Sequence, residues 1–220
     1  MSSPLEFTPP PKIRVLLVDD HLMARSGMRL MLSTAEDIEV AAEADCAAAA
    51  LAQVRMERFN VALVDVGMPD RNGIELIRLL RAEQPQLAVL VVSMYSEDIY
   101  AVRAFRNGAA GYLTKNTPDA VLVAAVRKAA TGGKFVSENQ LEVLAGAVSG
   151  GAGAPHELLS DREFEVFKLI AAGESLVRIA ELLHVSPSTV TSYRGRILEK
   201  TRLKTNAQIA RYALEHGLLL

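Results

Sequence analysis

Two short apolar runs, each closed by acidic residues, constrain the fold of this chain more than any other feature. Val15-Leu16-Leu17-Val18 is followed by Asp19 and Asp20, and Val61-Ala62-Leu63-Val64 is followed by Asp65. Short, unbroken runs of this kind are typical of parallel strands that are buried on both faces. In a doubly wound sheet, the carboxyl ends of such strands line the binding crevice. We therefore expect these three carboxylates to meet at one edge of a sheet.

Carboxylates that meet in this way repel one another, so the site needs a cation, and oxygen-only ligands suit Mg²⁺. Two further polar residues follow apolar runs: Ser93 ends a fourth strand signal, and Lys115 follows a fifth. A hydroxyl can donate to a phosphoryl oxygen, and an ammonium group can offset the charge of a new anion. Each residue taken singly also fits a helix cap, a turn or a surface charge. Together they predict a site that handles phosphate.

Strand and helix signals alternate along the first 135 residues. The remaining strand signals lie at 40–44, 87–92 and 111–113, and the helix signals lie at 23–32, 47–58, 73–82, 99–107 and 119–131. This order predicts an α/β fold: a doubly wound, five-stranded parallel sheet with helices on both faces. A Gly- and Ala-rich stretch at 146–155 then predicts a flexible linker without helix. Residues 159–220 are helical by pattern and long enough only for a small bundle.

Charge and cysteine content narrow the class of protein further. The 26 acidic residues nearly balance the 24 basic ones, so the net charge of −2 does not identify the kind of partner that the protein binds. Residues 187–204, however, carry five basic residues against one acid, which is the pattern expected of a contact with nucleic acid. The single cysteine, Cys46, excludes an internal disulfide and a thiolate zinc site. The proline-rich first eleven residues resemble neither a signal peptide nor a membrane anchor, so we expect a cytoplasmic protein without a membrane partner.

The first part of the chain resembles the receiver domain of two-component response regulators, which has a flavodoxin-like fold. The resemblance covers about 13–133 and is carried by Val18-Asp19-Asp20-His21, Asp65-Val66-Gly67-Met68-Pro69, Ser93 and Gly111-Tyr112-Leu113-Thr114-Lys115. It implies that Asp65 accepts a phosphoryl group from a sensor histidine kinase. It also implies that Asp20, Asp65 and the backbone carbonyl of Gly67 bind Mg²⁺, with Asp19 acting mostly through water.

By the same resemblance, Ser93, Tyr112 and Lys115 form a switch. Phosphate on Asp65 would draw the Ser93 hydroxyl inward and leave space for the Tyr112 ring. The alternative is that Tyr112 is an ordinary half-buried aromatic residue on an edge strand. One departure affects the loop after Lys115, because Asn116 stands where many receivers have proline, and Pro118 comes later.

The C-terminal sequence shows its own helix starts. Ser160 with Glu163 forms a capping box, and Ser186 followed by Pro187 marks the start of a later helix. Two helices joined by a tight turn, the second one basic, match helix-turn-helix geometry. Residues 158–220 resemble the LuxR-type DNA-binding domain of the NarL/FixJ group through Leu159-Ser160-Asp161-Arg162-Glu163, Ile170-Ala171-Ala172-Gly173, Ile179-Ala180, Val185-Ser186, Thr189-Val190 and Ile197-Leu198-Glu199-Lys200. The chain departs from the common pattern at Val177-Arg178, Thr191 and Tyr193.

The third helix of this module offers a face for double-stranded DNA. We expect contacts to base edges or nearby phosphates from Thr189, Thr191, Ser192 and Tyr193, and contacts to the phosphate backbone from Arg194, Arg196, Lys200 and Lys204. Arg194 and Lys204 also fit solvated surface charges. Ile209, Tyr212 and Ala213 in the last helix form a candidate dimerisation seam, but packing within the bundle would use the same residues.

The sequence therefore predicts a transcription factor rather than an enzyme. We expect phosphorylation to activate it and expect it to regulate promoters as a homodimer. Its expected parts are a receiver at 13–133, a partly helical and then Gly/Ala-rich linker at 134–157, and a DNA-binding domain at 158–220. A phosphatase with an aspartyl nucleophile is an alternative, but it requires a second carboxylate two residues after Asp65, where Gly67 stands. A second alternative is a binding module that dimerises through the receiver and never takes phosphate.

Overall fold

A computed structural model describes residues 12–68, 73–148 and 154–219 of the chain. Its first part contains a five-stranded, fully parallel sheet in the order β2-β1-β3-β4-β5. The strands are β1 (Ile13–Val18), β2 (Ile38–Ala44), β3 (Val61–Val64), β4 (Ala88–Ser93) and β5 (Gly111–Thr114). The sequence-based prediction of a five-stranded parallel sheet is confirmed.

Five helices cover the two faces of this sheet, as predicted. They are α1 (Leu22–Ser33), α2 (Ala47–Met56), α3 (Gly73–Glu83), α4 (Glu97–Arg106) and α5 (Asp119–Ala130). Because strand side chains alternate between faces, β1 contributes side chains to two hydrophobic cores, one on each face of the sheet. Val15 and Leu17 pack with α1 and α5, whereas Leu16 and Val18 pack with α2, α3 and α4. All four side chains are fully buried, which explains why the run is apolar without interruption.

The C-terminal part is helical throughout. After α6 (Glu138–Val148), it comprises a short 3-10 turn (Pro155–Leu158), α7 (Asp161–Ala171), α8 (Leu176–Leu182), α9 (Pro187–Thr201) and α10 (Asn206–Glu215). The predicted capping box is confirmed at the start of α7. The Glu163 backbone N–H donates to Ser160 Oγ at 3.3 Å, and the Ser160 backbone N–H donates to Glu163 Oε2 at 2.8 Å. At the start of α9, Ser186 Oγ accepts from the Thr189 backbone N–H, and Pro187 occupies the first turn.

The predicted linker differs in part from the structure. Residues 146–148, which the sequence suggested could not hold a helix, form the last part of α6. Extending a helix that already exists costs far less than starting one, so a single glycine near its end is tolerated. The next part of the predicted linker, 149–153, lies outside the described residues, as do the N-terminal segment 1–11 and Pro69 of the receiver motif. Within the described parts of the chain, no helix has the length and apolar character needed to cross a membrane.

Candidate functional site

The first predicted site forms where β1 and β3 end side by side. The parallel register pairs Val18 with Val64, so the residues that follow them, Asp19 and Asp65, become neighbours. The Asp65 backbone N–H donates to the Val18 carbonyl oxygen at 2.8 Å and fixes this arrangement. The side chains of Asp19 and Asp65 are 0% and 6% exposed, so both carboxylates are removed from bulk water. The structure thus brings together the acidic residues that the sequence placed at the strand ends.

Lys115 joins these two carboxylates. Its Nζ lies 2.6 Å from Asp19 Oδ2 and 2.9 Å from Asp65 Oδ2. The Lys115 backbone N–H donates to the Ser93 carbonyl oxygen, which ties the end of β5 to the end of β4. Burial alone would lower the pKa of Lys115, but the hydrogen bonds with Asp19 and Asp65 raise it above its ordinary value. Lys115 is therefore a fixed positive charge at this site.

One lysine leaves the acidic cluster undercompensated. Asp20 lies beside the other two carboxylates, and ligand atoms of Asp19, Asp20, His21 and Asp65 lie within 4.8 Å of one another. Asp65 Oδ1 is buried and has no hydrogen-bond partner among the described residues. A buried carboxylate oxygen without a partner is costly unless a cation binds it. The donor set therefore fits a hard divalent cation such as Mg²⁺.

Two residues at this site were not predicted to take part. His21 Nδ1 lies 2.9 Å from Asp20 Oδ1, and its only sequence signal is that it directly follows the acidic pair. Gly73 begins α3 against the backbone of Asp65, where a Cβ would lie 2.0 Å from the Asp65 carbonyl oxygen. Any side chain at this position would displace the acidic residue. A glycine after a β3 loop carries too little sequence information to reveal this close approach.

Ser93 and Tyr112 lie next to the acidic cluster on β4 and β5. Ser93 is fully buried, and its Oγ accepts from the Tyr95 backbone N–H at 3.3 Å. Tyr112 is also fully buried rather than half-buried, and its hydroxyl donates to the Tyr95 carbonyl oxygen at 2.9 Å. Burial raises the pKa of Tyr112 well above its ordinary value, so this hydroxyl remains protonated. Gln140 of α6, which the sequence did not single out, donates to the Tyr112 carbonyl oxygen at 2.8 Å.

The second predicted site is the face of α9. Thr191, Ser192 and Arg196 are exposed, as is Lys204 just after the helix, whereas Thr189 is partly buried. Tyr193 is partly buried and lines a cleft together with Glu75 and Arg78 of α3. The exposed members present hydroxyl groups and cations along one side of α9. This arrangement can contact a polyanion.

Two of the predicted DNA-contacting cations have partners within the chain. Arg194 Nε donates to Asn206 Oδ1 at 2.7 Å. Lys200 Nζ lies 2.6 Å from Oε2 of Glu163, whose side chain is only 4% exposed. Lys200 therefore neutralises a buried carboxylate of the capping box. Its side chain is also exposed, as the sequence suggested.

The candidate dimerisation seam on α10 faces inward. Ile209 and Ala213 are fully buried in the C-terminal core, so packing within the bundle is the role that they have here. The Tyr212 hydroxyl lies 3.0 Å from His156 Nδ1, and its ring stacks on His216. The apolar spacing of α10 reflects this core, because a small bundle must bury one face of each helix. As a correction to the seam, Ile209 and Ala213 are not available to a second chain.

Comparison with known proteins matches both parts of the chain. Residues 15–127 match the family described as response regulator receiver domain, and residues 157–213 match bacterial regulatory proteins of the luxR family. The transcriptional regulatory protein MctR of Rhizobium johnstonii is 36% identical over 97% of this chain and 98% of its own length. The response regulator GacA of Pseudomonas aeruginosa is 35% identical over 94% of this chain and 98% of its own. The structure of RcsB from Salmonella enterica bound to promoter rprA with phosphomimetic BeF3- has a TM-score of 0.70 at 24% identity, over 91% and 98% of the two chains, and supports the fold.

Proposed function

Because the chain belongs to the response regulators that join a receiver domain to a LuxR-type DNA-binding domain, we propose that phosphorylation of Asp65 controls its binding to promoter DNA. The chain is thus a DNA-binding regulator of transcription. Asp65 is our proposed acceptor because it stands alone at the end of β3. Lys115 holds one of its carboxylate oxygens, and the other has no partner among the residues that the structure describes. This arrangement of Asp65 is the single observation that carries the proposal.

The phosphoryl donor that we propose is the phosphohistidine of a sensor histidine kinase. A carboxylate oxygen of Asp65 attacks the phosphorus, the P–N bond breaks, and the imidazole nitrogen keeps the electron pair of that bond. The carboxylates of Asp19, Asp20 and Asp65 and the carbonyl of Gly67 would hold Mg²⁺, which offsets negative charge on the transferring group when it is bound. Lys115 supplies a second positive charge, and the Ser93 hydroxyl can donate to a phosphoryl oxygen.

The proposed switch consists of Ser93, Tyr112 and Lys115. If the hydroxyl of Ser93 turns to a phosphoryl oxygen on Asp65, it gives up its contact with the Tyr95 backbone N–H. The Tyr112 hydroxyl already holds the next peptide carbonyl of the same loop. Phosphorylation and the inward position of Tyr112 therefore act on one short segment, 93–95. A local change in charge can bias a packing arrangement of this kind.

For DNA, we propose that α9 enters the major groove. Thr189, Thr191, Ser192 and Tyr193 would contact base edges or adjacent phosphates, and Arg194, Arg196, Lys200 and Lys204 would contact the backbone. Arg196 and Lys204 support this assignment best, because Arg194 and Lys200 already have partners within the chain. We further propose that the phosphorylated chain dimerises on paired half-sites and acts in the cytoplasm. The corresponding units are a receiver at 13–133, a linker at 134–157 and a DNA-binding domain at 158–220.

Labelling with a small phosphodonor in the presence of Mg²⁺ tests the assignment of Asp65. We expect the intact mass of the wild-type chain to increase by one phosphoryl group and the mass of Asp65→Asn to stay unchanged. The asparagine has the same shape but lacks the nucleophilic carboxylate, so far-UV circular dichroism should show an unaltered fold. Asp37→Asn provides a matched control, because Asp37 pairs with Arg127 on the surface. Labelling of Asp65→Asn at the wild-type level would refute the assignment.

A further inference from the structure

A cavity lies between the receiver and the DNA-binding domain, close to the contact of α4 with the start of α7. Arg103 of α4 forms that contact, because its guanidinium donates to the backbone oxygens of Leu159 and His156 and to Asp161 Oδ1 at 2.8–3.2 Å. The cavity has a volume of about 490 Å³. Pockets of this size commonly bind small molecules, and they occur preferentially between domains.

Most of the cavity wall is apolar or aromatic. The rings of Tyr95 and Tyr100 stack with 4.8 Å between their centres, and the Tyr100 ring meets the Phe164 ring edge to face at 5.6 Å. Leu169 and Leu182 of the DNA-binding domain complete this part of the wall. Aromatic pairs add to the free energy of apolar burial, so this wall favours a ligand with a ring-containing body.

Lys168 of α7 is the polar group that can orient such a ligand. Its Nζ donates to the Tyr100 hydroxyl at 2.6 Å and lies 3.6 Å from the ring centre of Tyr95. An ammonium group has three N–H donors, and no carboxylate among the described residues lies within ion-pair distance of this one. Burial lowers the pKa of Lys168 to about 8, so the group is still mostly charged at pH 7. A partly buried cation of this kind is stabilised by an anion that enters the cavity.

Glu165 is the other charged residue among those that line the cavity, and its charge is already compensated. Its Oε2 accepts from Arg162 Nη1 at 2.7 Å. Burial also raises the pKa of Glu165, which favours the neutral carboxyl group. The uncompensated charge in the wall is therefore the positive charge of Lys168, which selects an acidic ligand over a basic one.

We propose that this cavity binds a small molecule that carries one or two aromatic rings and a single carboxylate. The carboxylate accepts a hydrogen bond from Lys168, and the rings pack against Tyr95 and Phe164. One carboxylate matches the one uncompensated cation, because a second would enter an apolar wall without a partner. Asp65 is not among the residues that line the cavity, so the proposal goes beyond the proposed function and does not depend on it.

Photo-crosslinking with 4-benzoylbenzoate, a two-ring carboxylate, tests the site in the full chain. We expect saturable binding of one molecule per chain by isothermal titration calorimetry. After near-UV irradiation, peptide mass spectrometry should place the covalent adduct on residues of the cavity wall. The neutral 4-benzoylbenzamide has nearly the same shape and should bind about tenfold more weakly or worse, because it cannot pair with a charged ammonium group. This comparison uses only the wild-type chain, so it does not depend on the folding of a variant.

Lys168→Met removes the charge and retains an apolar side chain of similar length. We expect this variant to bind the carboxylate about tenfold more weakly or worse and to bind the amide within about twofold of the wild type, because only the carboxylate uses the ammonium charge. Lys128→Met is the matched control. Lys128 also lies near an aromatic ring, that of Phe135 at 5.9 Å, but it does not line the cavity, so both ligands should bind this variant as they bind the wild type.

Three results would overturn the proposal. They are equal affinities of the wild type for the carboxylate and the amide, an equal loss of both affinities in a folded Lys168→Met, and crosslinks outside the cavity. A wild-type chain without saturable binding of 4-benzoylbenzoate at millimolar concentration would overturn it as well. None of these results changes the assignment of Asp65, because labelling by a phosphodonor is measured separately.

Discussion

At the acidic site formed by Asp19, Asp20 and Asp65, Lys115 is the fixed cation among the described residues. Lys115 bonds to Asp19 and Asp65, and Asp65 Oδ1 has no hydrogen-bond partner within the part of the chain that the structure describes. The site therefore has an excess of negative charge, which a divalent cation can neutralise. The charged residues follow three different strands, so the sheet as a whole sets their positions relative to one another.

The ion pair between Glu163 and Lys200 contributes to the stability of the C-terminal domain in a pH-dependent way. Burial would raise the pKa of Glu163, but hydrogen bonds from Lys200 and from the backbone and hydroxyl of Ser160 lower it below its ordinary value. A carboxylate with a lowered pKa in the folded state stabilises that state above its ordinary pKa, and the stabilisation is lost as the pH falls through the lowered value. We therefore expect Glu163→Gln to lower the melting temperature at pH 7 and to have little effect well below pH 4.5.

Thermal unfolding of both proteins between pH 7 and pH 3 measures this effect. Glu165→Gln serves as a comparison from the same helix, because burial raises the pKa of Glu165 and the sign of its pH dependence is opposite. If the difference between wild type and Glu163→Gln stayed constant across this range, the charged pair would not be the source of the stabilisation.

The basic residues around α9 divide into two groups. Arg196, Lys200 and Lys204 are all exposed, but Lys200 also pairs with the buried carboxylate of Glu163. Arg196→Ala should weaken binding to all duplexes and reduce the salt slope of the affinity by about 1, as expected for the loss of one phosphate contact. Lys200→Met should instead destabilise the domain by about 1–3 kcal/mol, because the buried Glu163 carboxylate loses its charged partner and keeps the Ser160 backbone N–H as a donor.

Duplex affinity at several salt concentrations, together with a thermal melt of each variant, distinguishes these two roles. A lower melting temperature for Arg196→Ala with an unchanged salt slope would remove Arg196 from the interface.

Much of the architecture at the element scale could be predicted from the sequence. The strands were visible because parallel strands buried on both faces must be apolar throughout, and Ser160 with Glu163 marked the start of α7 through a local capping pattern. Spacing alone could not decide whether Ile209 and Ala213 pack in a core or against a second chain, since both roles require the same periodicity. The helical end of α6 was missed because composition does not show where a helix that has already formed will stop.

At the scale of the whole molecule, the contacts between the domains could not be predicted. Arg103 and Asp161 are far apart in the sequence, as are Tyr95 and Lys168, and each residue alone resembles an ordinary surface side chain. Their pairing depends on how two separately folded units dock, and that docking leaves no periodic signal in the chain. In the structure, Lys168 of the C-terminal domain contacts the ring of Tyr95, and that ring lies beside Gly67, close to Asp65.

Control of DNA binding by Asp65 can be tested by measuring the affinity for DNA as a function of phosphorylation. A duplex enriched from a random pool by the phosphodonor-treated protein is titrated, at one fixed salt concentration, with wild type and Asp65→Asn, each with and without phosphodonor and Mg²⁺. We expect the phosphodonor to strengthen binding of the wild type by tenfold or more, about 1.4 kcal/mol, and to leave the affinity of Asp65→Asn unchanged. Equal affinities for phosphorylated and unphosphorylated wild type would show that phosphorylation of Asp65 does not control DNA binding.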